Sequence, residues 1–236
     1  MTQNCSGAGG CPRVFVTPSG HVVVQGYEMD ASGMAEAPSG ERQITMDLAT
    51  WRDLARQVEA GQGDPFANFT HSAFRLEVLP QYLVDVEAER FQAFREDQPL
   101  PPWPAESVAW FEGIAVSTAA GKSWSRVHVV DRPLSDYTRF ELECYASNVA
   151  AGEAVRIAER AGRPELAELV EDFWLFDAET DHPVALLMKY AADGRWLGYW
   201  RTEDRPVIEE CKRQRDVALA ASVPLEAYVA SPVGGR

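Results

Sequence analysis

Four cysteines and four histidines are the side chains best suited to bind a metal or attack a substrate, and their spacing decides what they can do. Cys5 and Cys11 are separated by five residues in a glycine-rich stretch, Cys144 and Cys211 stand far from them, and the histidines fall at 21, 71, 128 and 182. No second Cys or His lies at the tight spacing of a structural zinc site, so no metal is expected, and Cys11 reads as a buried thiol. Cysteines this scattered do not form a disulfide framework either, and reduced thiols follow. Gly7-Ala8-Gly9-Gly10 precedes a strand and lacks a following Lys and Ser/Thr, which excludes a phosphate loop. Gly121-Lys122-Ser123-Trp124-Ser125 reads as a turn into a strand instead of a nucleophile elbow.

Carboxylates are dense in Glu165 to Asp172 and in Glu203 to Glu210, where solvated helix faces are the expected explanation. An enzyme would instead bring carboxylates together with a histidine such as His128 or His182 in one cleft. Aromatic residues gather at Phe173, Trp174, Phe176, Tyr190, Trp196, Tyr199 and Trp200. Core packing accounts for most of them, at roughly 1.5–3 kcal/mol for each buried side chain. Trp196, Tyr199 and Trp200 nevertheless occupy both parities of a short strand, so another layer, a ligand or a partner must cover the remainder.

These residues need elements to hold them. Thr17-Pro18-Ser19-Gly20 separates Phe15 from His21-Val22-Val23-Val24-Gln25 and predicts a hairpin, followed by a third strand near Ile44 and a helix from Thr50 to Gly61. Gly61-Gln62-Gly63-Asp64-Pro65 marks a boundary near residue 64. Beyond it, Phe74, Leu76 and Val78 alternate with charged residues as in a half-buried strand, and a helical stretch runs from Tyr82 to Arg95. QPLPPWP at 98–104 must be extended. Trp110, Phe111, Ile114 and Ala115 share a helical face, Arg126 to Val130 form a strand, and Ser135 to Ser147 form a helix carrying Tyr137, Phe140 and Cys144. Strands at Val155 to Ala158, Phe173 to Phe176, Val184 to Tyr190 and Trp196 to Trp200 precede a last helix from Pro206 to Ser222, which Pro224 terminates. The organisation expected is a small β-rich unit over 1–62, a linker over 63–73, a mixed α+β or α/β domain over 74–228 and a flexible tail over 229–236.

The 236 residues are 46% apolar, which suits a globular chain, and no apolar run is long enough for a membrane span. With no basic, apolar leader at the start, a cytoplasmic location is expected. Twenty-two basic against thirty-six acidic residues give a formal charge of −14, which repels nucleic acid and attracts a basic protein surface.

Two stretches resemble known families. Cys11-Pro12-Arg13-Val14, His21-Val22-Val23-Val24, Thr50-Trp51-Arg52-Asp53-Leu54 and Val58-Glu59-Ala60-Gly61 resemble the short actinobacterial proteins of the domain-of-unknown-function family 397, with a longer insertion at Met29 to Gly40. Residues 74 to 228 resemble the domain-of-unknown-function family 6879. That likeness rests on Ser135-Asp136-Tyr137-Thr138-Arg139-Phe140-Glu141, Asn148-Val149-Ala150-Ala151-Gly152-Glu153, Asp172-Phe173-Trp174-Leu175-Phe176-Asp177, Val223-Pro224 and Tyr228. Both families resemble products encoded beside WhiJ-type helix-turn-helix regulators, which implies a regulatory, toxin–antitoxin-like accessory. The element order is also similar to half of a phospholipase-D-like domain. That family's His-x-Lys-x-x-x-x-Asp, placed with Asp177 at its Asp, puts Asp172 at the Lys and Val170 at the His, so the chemistry is absent.

The expectation is a non-catalytic regulatory protein without cofactor that contacts a helix-turn-helix regulator. A small-molecule sensor is the alternative, with a pocket between the aromatic strands and the Ser135 to Ser147 helix, and an enzyme of unrecognised class is the third. The candidate ligand or partner residues are Tyr137, Arg139, Asn148, Glu153, Trp174, Trp196 and Trp200. For Arg139, bidentate recognition of a carboxylate or phosphate competes with a plain ion pair to a neighbouring acid.

Overall fold

The computed structural model describes residues 13–16, 22–25 and 63–231. The chain divides into two compact units, Met1–Asn68 and Phe69–Arg236. In the first, β1 (Arg13–Val16) and β2 (Val22–Gln25) pair antiparallel with Val14 opposite Val24, forming the hairpin that the Pro-Gly turn predicts. A single helical turn, α1 (Pro65–Asn68), starts where Asp64 Oδ1 accepts the Phe66 N–H at 2.9 Å. The expected strand near Ile44, the helix from Thr50 to Gly61, and Cys5 and Cys11 lie outside the described residues.

The second unit runs β3 (Ser72–Glu77), α2 (Ala88–Arg95), α3 (Ala105–Ala119), β4 (Ser123–Val130), α4 (Asp136–Ala151), β5 (Glu153–Glu159), β6 (Phe173–Phe176), β7 (Val184–Tyr190), β8 (Trp196–Thr202), α5 (Arg205–Ala221), β9 (Val223–Pro224) and α6 (Leu225–Ala230). Seven strands form one mixed sheet in the order β8-β7-β6-β3-β4-β5-β9. β3, β4 and β5 are parallel because helices return the chain between them, whereas β6 to β8 are joined by turns and run antiparallel. The β7–β8 turn needs Gly194, since φ is +87° and a Cβ there would come within 2.6 Å of the Gln81 carbonyl oxygen.

α4 is bounded by its own chemistry. Ser135 caps it by accepting the Thr138 N–H at 2.9 Å, and Gly152, at φ +107°, ends it in the left-handed conformation that costs glycine least. This cap and stop aim the helix across β4 and β5.

The sheet is covered on both faces. On one, Phe74, Leu76, Val127, Val129, Phe173, Leu175 and Leu187 pack against Ile208, Cys211 and Ala218 of α5. The opposite face carries Arg75, Glu77, Arg126 and His128, all buried. The half-buried reading of the β3 strand is therefore corrected: the charged positions of a central strand stay dry here because helices lie over them and opposite charges pair with them.

Three further expectations change. The Tyr82 to Arg95 stretch holds a short 3₁₀ turn at Asp85–Glu87 before α2 begins. Glu165 to Asp172 is not a helix but a 3₁₀ turn at Pro164–Leu166 followed by a loop, and its last carboxylate is buried. After Pro224 the chain forms α6, so residues 229 and 230 are helical. No helix among the described residues is long and apolar enough to cross a membrane.

Candidate functional site

Register builds the site. β3 and β4 place Arg75 beside Arg126 and Glu77 beside His128, and alternation sends all four side chains to the same face. Over that face α4 lays Glu141, Tyr145 and Asn148, whose spacing of four and then three residues is one helical stripe. Glu153 opens β5, and Asp172 sits one residue before β6. Every one of these groups is buried.

Arg126 is the hub. Its Nε donates to Glu153 Oε1 at 2.7 Å, Nη2 to Glu153 Oε2 at 3.3 Å and Nη1 to Glu77 Oε2 at 3.0 Å. Asn148 Nδ2 donates to Glu153 Oε2 at 2.6 Å. Arg75 Nη2 donates to Asp172 Oδ2 at 2.8 Å, and Asp172 also accepts from Tyr82 Oη at 2.6 Å and from the Val78 N–H at 3.0 Å. Charged pairs out of water persist only when their remaining lone pairs find donors in this way.

One corner of the network is less satisfied. Tyr145 Oη lies 2.8 Å from Glu77 Oε2, 3.0 Å from His128 Nδ1 and 3.3 Å from Glu141 Oε1, so one phenolic proton faces three acceptors. His128 Nε2 is 3.1 Å from the Leu79 carbonyl oxygen, which can only accept, so the ring proton belongs on Nε2 and the Nδ1 lone pair faces the carboxylates. Glu141 Oε2 is buried and makes no hydrogen bond.

Electrostatics separates the two glutamates. Burial opposes charge on both, but the Arg126 and Arg75 guanidiniums outweigh it at Glu77 and hold that carboxyl below the usual range. At Glu141, burial and then the negative charge of Glu77 push the carboxyl well up, so it holds a proton. Burial also lowers His128, keeping the ring neutral. The corner therefore offers one ionised carboxylate, one protonated carboxyl and one neutral imidazole, a set able to store a proton or bind a cation.

Above Arg126 a cavity of about 240 Å³ opens between α3 and α4. Trp103, Trp110, Phe111 and Tyr145 supply aromatic wall, and Glu87, Glu106, Glu141, Ser107 and Asn148 supply polar groups. Trp103 comes from the extended proline-rich segment, held there by Arg90, whose guanidinium stacks 3.8 Å above its ring and donates to the Pro101 carbonyl.

Of the residues singled out in the sequence, Asn148 lines the cavity and Glu153 anchors its floor through Arg126. Tyr137 is buried beside it and donates to Glu87 Oε2 at 2.9 Å. Trp174 is a core residue, packed edge-to-face on Trp110 and Trp124. Arg139 is exposed and pairs with Asp136 one turn away, so the plain ion pair is what it forms. Trp196 and Trp200 lie far along the sheet, on β8, and are 54% and 59% exposed. The pocket is thus displaced from the aromatic strands to the α3–α4 crevice. His128 does meet convergent carboxylates, while His182 is exposed elsewhere.

Sequence reading missed Arg75, Glu77, Arg126, Glu141, Tyr145 and Asp172. Arg75-x-Glu77 and Arg126-x-His128, charges two apart inside otherwise apolar strands, were the available signal, with the Glu141, Tyr145, Asn148 stripe on the buried side of α4 as its counterpart. Spacing rules for zinc could not find Glu77, His128 and Glu141, because each comes from a different element.

Fold and site together define a mixed α/β domain built over a buried ionic network with an adjoining cavity. The chain belongs to the family described as Domain of unknown function (DUF6879), whose model matches residues 62–230. No curated protein and no solved structure matches it. The likenesses to family 397 and to a phospholipase-D-like half domain are not among the matches.

Proposed function

We propose that the second unit is a non-catalytic, ligand-sensing regulatory domain that takes a small, positively charged organic molecule in the α3–α4 cavity. The observation that carries this is the wall: three aromatic rings, Trp103, Trp110 and Phe111, stand beside three carboxyl groups, Glu87, Glu106 and Glu141. The guanidinium at the floor, Arg126, is already engaged by Glu77 and Glu153. Aromatic faces and carboxylates both favour an ammonium group, and a cation entering would favour ionisation of Glu141. Thermal denaturation with matched panels of small amines, carboxylates and neutral analogues tests it. Amines alone should raise Tm, and Glu106→Gln at the exposed rim should weaken the effect without changing the unliganded Tm. Equal stabilisation by carboxylates, or none by any amine, would overturn the reading.

A second reading, contact with a helix-turn-helix regulator, is favoured by β8. This edge strand is paired on one side only among the described residues and exposes Trp196, Leu197 and Trp200. Exposed aromatic side chains supply affinity to a partner, and the acidic chain attracts a basic one. Calorimetry with a purified helix-turn-helix regulator from the same organism should give a complex that weakens as salt rises. A salt-independent complex, or none, counts against it.

A further inference from the structure

We propose that Glu77, His128 and Glu141 form a binding site for one divalent transition-metal ion of the zinc type. The inference stands apart from the ligand reading, because only Glu141 is shared with the cavity wall.

One ligand atom from each residue lies within 4.8 Å of the others, near enough for small side-chain adjustments to bring all three to a common ion. All three residues are buried, so the ion would be shielded from water and held by rigid elements: Glu77 from β3, His128 from β4 and Glu141 from α4. The imidazole is already in the ligating tautomer. Its Nε2–H is spent on the Leu79 carbonyl, the orienting bond that metal-bound histidines characteristically make, and Nδ1 faces inward.

Each carboxylate contributes in its own way. Glu77 is oriented by Arg126, whose Nη1 lies 3.1 Å from Oε1 and 3.0 Å from Oε2, while Oε2 also faces the corner through Tyr145. Glu141 supplies the independent observation: its Oε2 is 3.3 Å from His128 Nδ1, more than nine-tenths buried and without a hydrogen bond. No donor from the protein reaches this oxygen, so what can lie between it and the Nδ1 lone pair is the carboxyl's own proton or a bound cation that replaces it.

Charge points the same way. The connected network holds four carboxyl groups, Glu77, Glu141, Glu153 and Asp172, against two guanidiniums, Arg75 and Arg126. With every carboxyl ionised two negative charges are uncompensated, which a single divalent ion would neutralise. One imidazole nitrogen with carboxylate oxygens suits zinc, and cobalt in its place gives a visible readout.

The test uses the full chain, stripped with a chelator and carrying Cys5→Ser and Cys11→Ser. Zinc titrated calorimetrically should bind one ion per chain, and Glu141→Gln should weaken it at least about tenfold, the scale for disturbing a metal's ligand shell. Glu106→Gln should leave zinc binding unchanged, which separates this site from the cavity ligand. Should Glu141→Gln fail to fold, ¹⁵N spectra of the unmutated residue set decide: zinc should move Nδ1 of His128 and no other imidazole. Cobalt should give ligand-field absorption without thiolate charge transfer. Absence of binding at millimolar zinc, a shift at His71 or His182 instead, or full affinity in Glu141→Gln would overturn the assignment.

Discussion

Arg126 Nε and Glu153 Oε1 meet at 2.7 Å across the parallel β4–β5 pair, with the Glu153 side chain fully buried and that of Arg126 nearly so. The same guanidinium also serves Glu77, which Arg75 reaches at 3.4 Å, so two buried anions draw on it. Arg126→Met should lower unfolding free energy by about 3–5 kcal/mol, the usual cost of stranding buried charge. Glu153→Gln should cost less, because Glu77 still satisfies Arg126 and the amide still fills the space. Urea denaturation of the two variants checks the order; equal or reversed costs would show that Glu77 cannot hold the guanidinium without Glu153.

Asp177 ties two strands together. Oδ1 accepts the His71 N–H at 2.7 Å and the Ser72 N–H at 3.0 Å, and Oδ2 accepts the Thr70 N–H at 2.7 Å and its hydroxyl at 2.9 Å. Its φ of +51° is one that Asp and Asn tolerate better than other side chains. Partial burial opposes ionisation, but the Ser72, His71 and Thr70 amides win and hold the carboxyl below its ordinary value. A lowered folded pKa stabilises above the unfolded value of about 3.9 and is lost as pH falls through the folded one. Asp177→Asn should therefore be about 1–3 kcal/mol less stable than the parent at pH 7, with a smaller gap at acid pH, below the unfolded value. Denaturation midpoints measured under both conditions give the answer.

The sequence-derived elements and the final architecture agree wherever a local signal sufficed. Phe173–Phe176 and Val184–Tyr190 have the expected bounds, and α4 and α5 differ by a few residues at their ends. What local signals could not reveal was the covering of both sheet faces. Alternation in Phe74-Arg75-Leu76-Glu77 looks the same whether the charged face meets water or a helix, and only the topology, with two crossover helices above β3 to β5, turns it inward. The site followed suit: Asn148 and Glu153 were singled out, but the arginines and Glu77 that give them meaning lie some 22 to 78 residues away in sequence.

Trp196 and Trp200 would ordinarily share a strand face, but an irregularity at Lys189/Tyr190 shifts the pairing. Trp196 lies opposite Tyr190 and Trp200 opposite Leu187, so the two indoles belong to different faces of the edge strand. Being exposed, they can be removed at little cost. Trp196→Ser and Trp200→Thr should each change stability by no more than about 0.5 kcal/mol by urea denaturation. If the regulator docks at β8, both variants should weaken its binding, whereas an effect of Trp200 alone would confine the partner to the α5 face.

Cys144 and Cys211 are buried on opposite sides of the sheet, and burial pushes both thiols up to about 12. Thiolate is the reactive form, so at pH 8 each has both low access and a negligible ionised fraction. Iodoacetamide followed by peptide mass analysis should leave both unmodified in the folded protein and label both fully in urea. Cys144 also lines the α3–α4 cavity, which makes it an internal reporter. Its labelling should begin at lower urea than that of Cys211 if the cavity face opens first, and a ligand seated between Trp103 and Trp110 should close that difference. Simultaneous labelling with and without ligand would mean that the two faces of the sheet unfold as one unit.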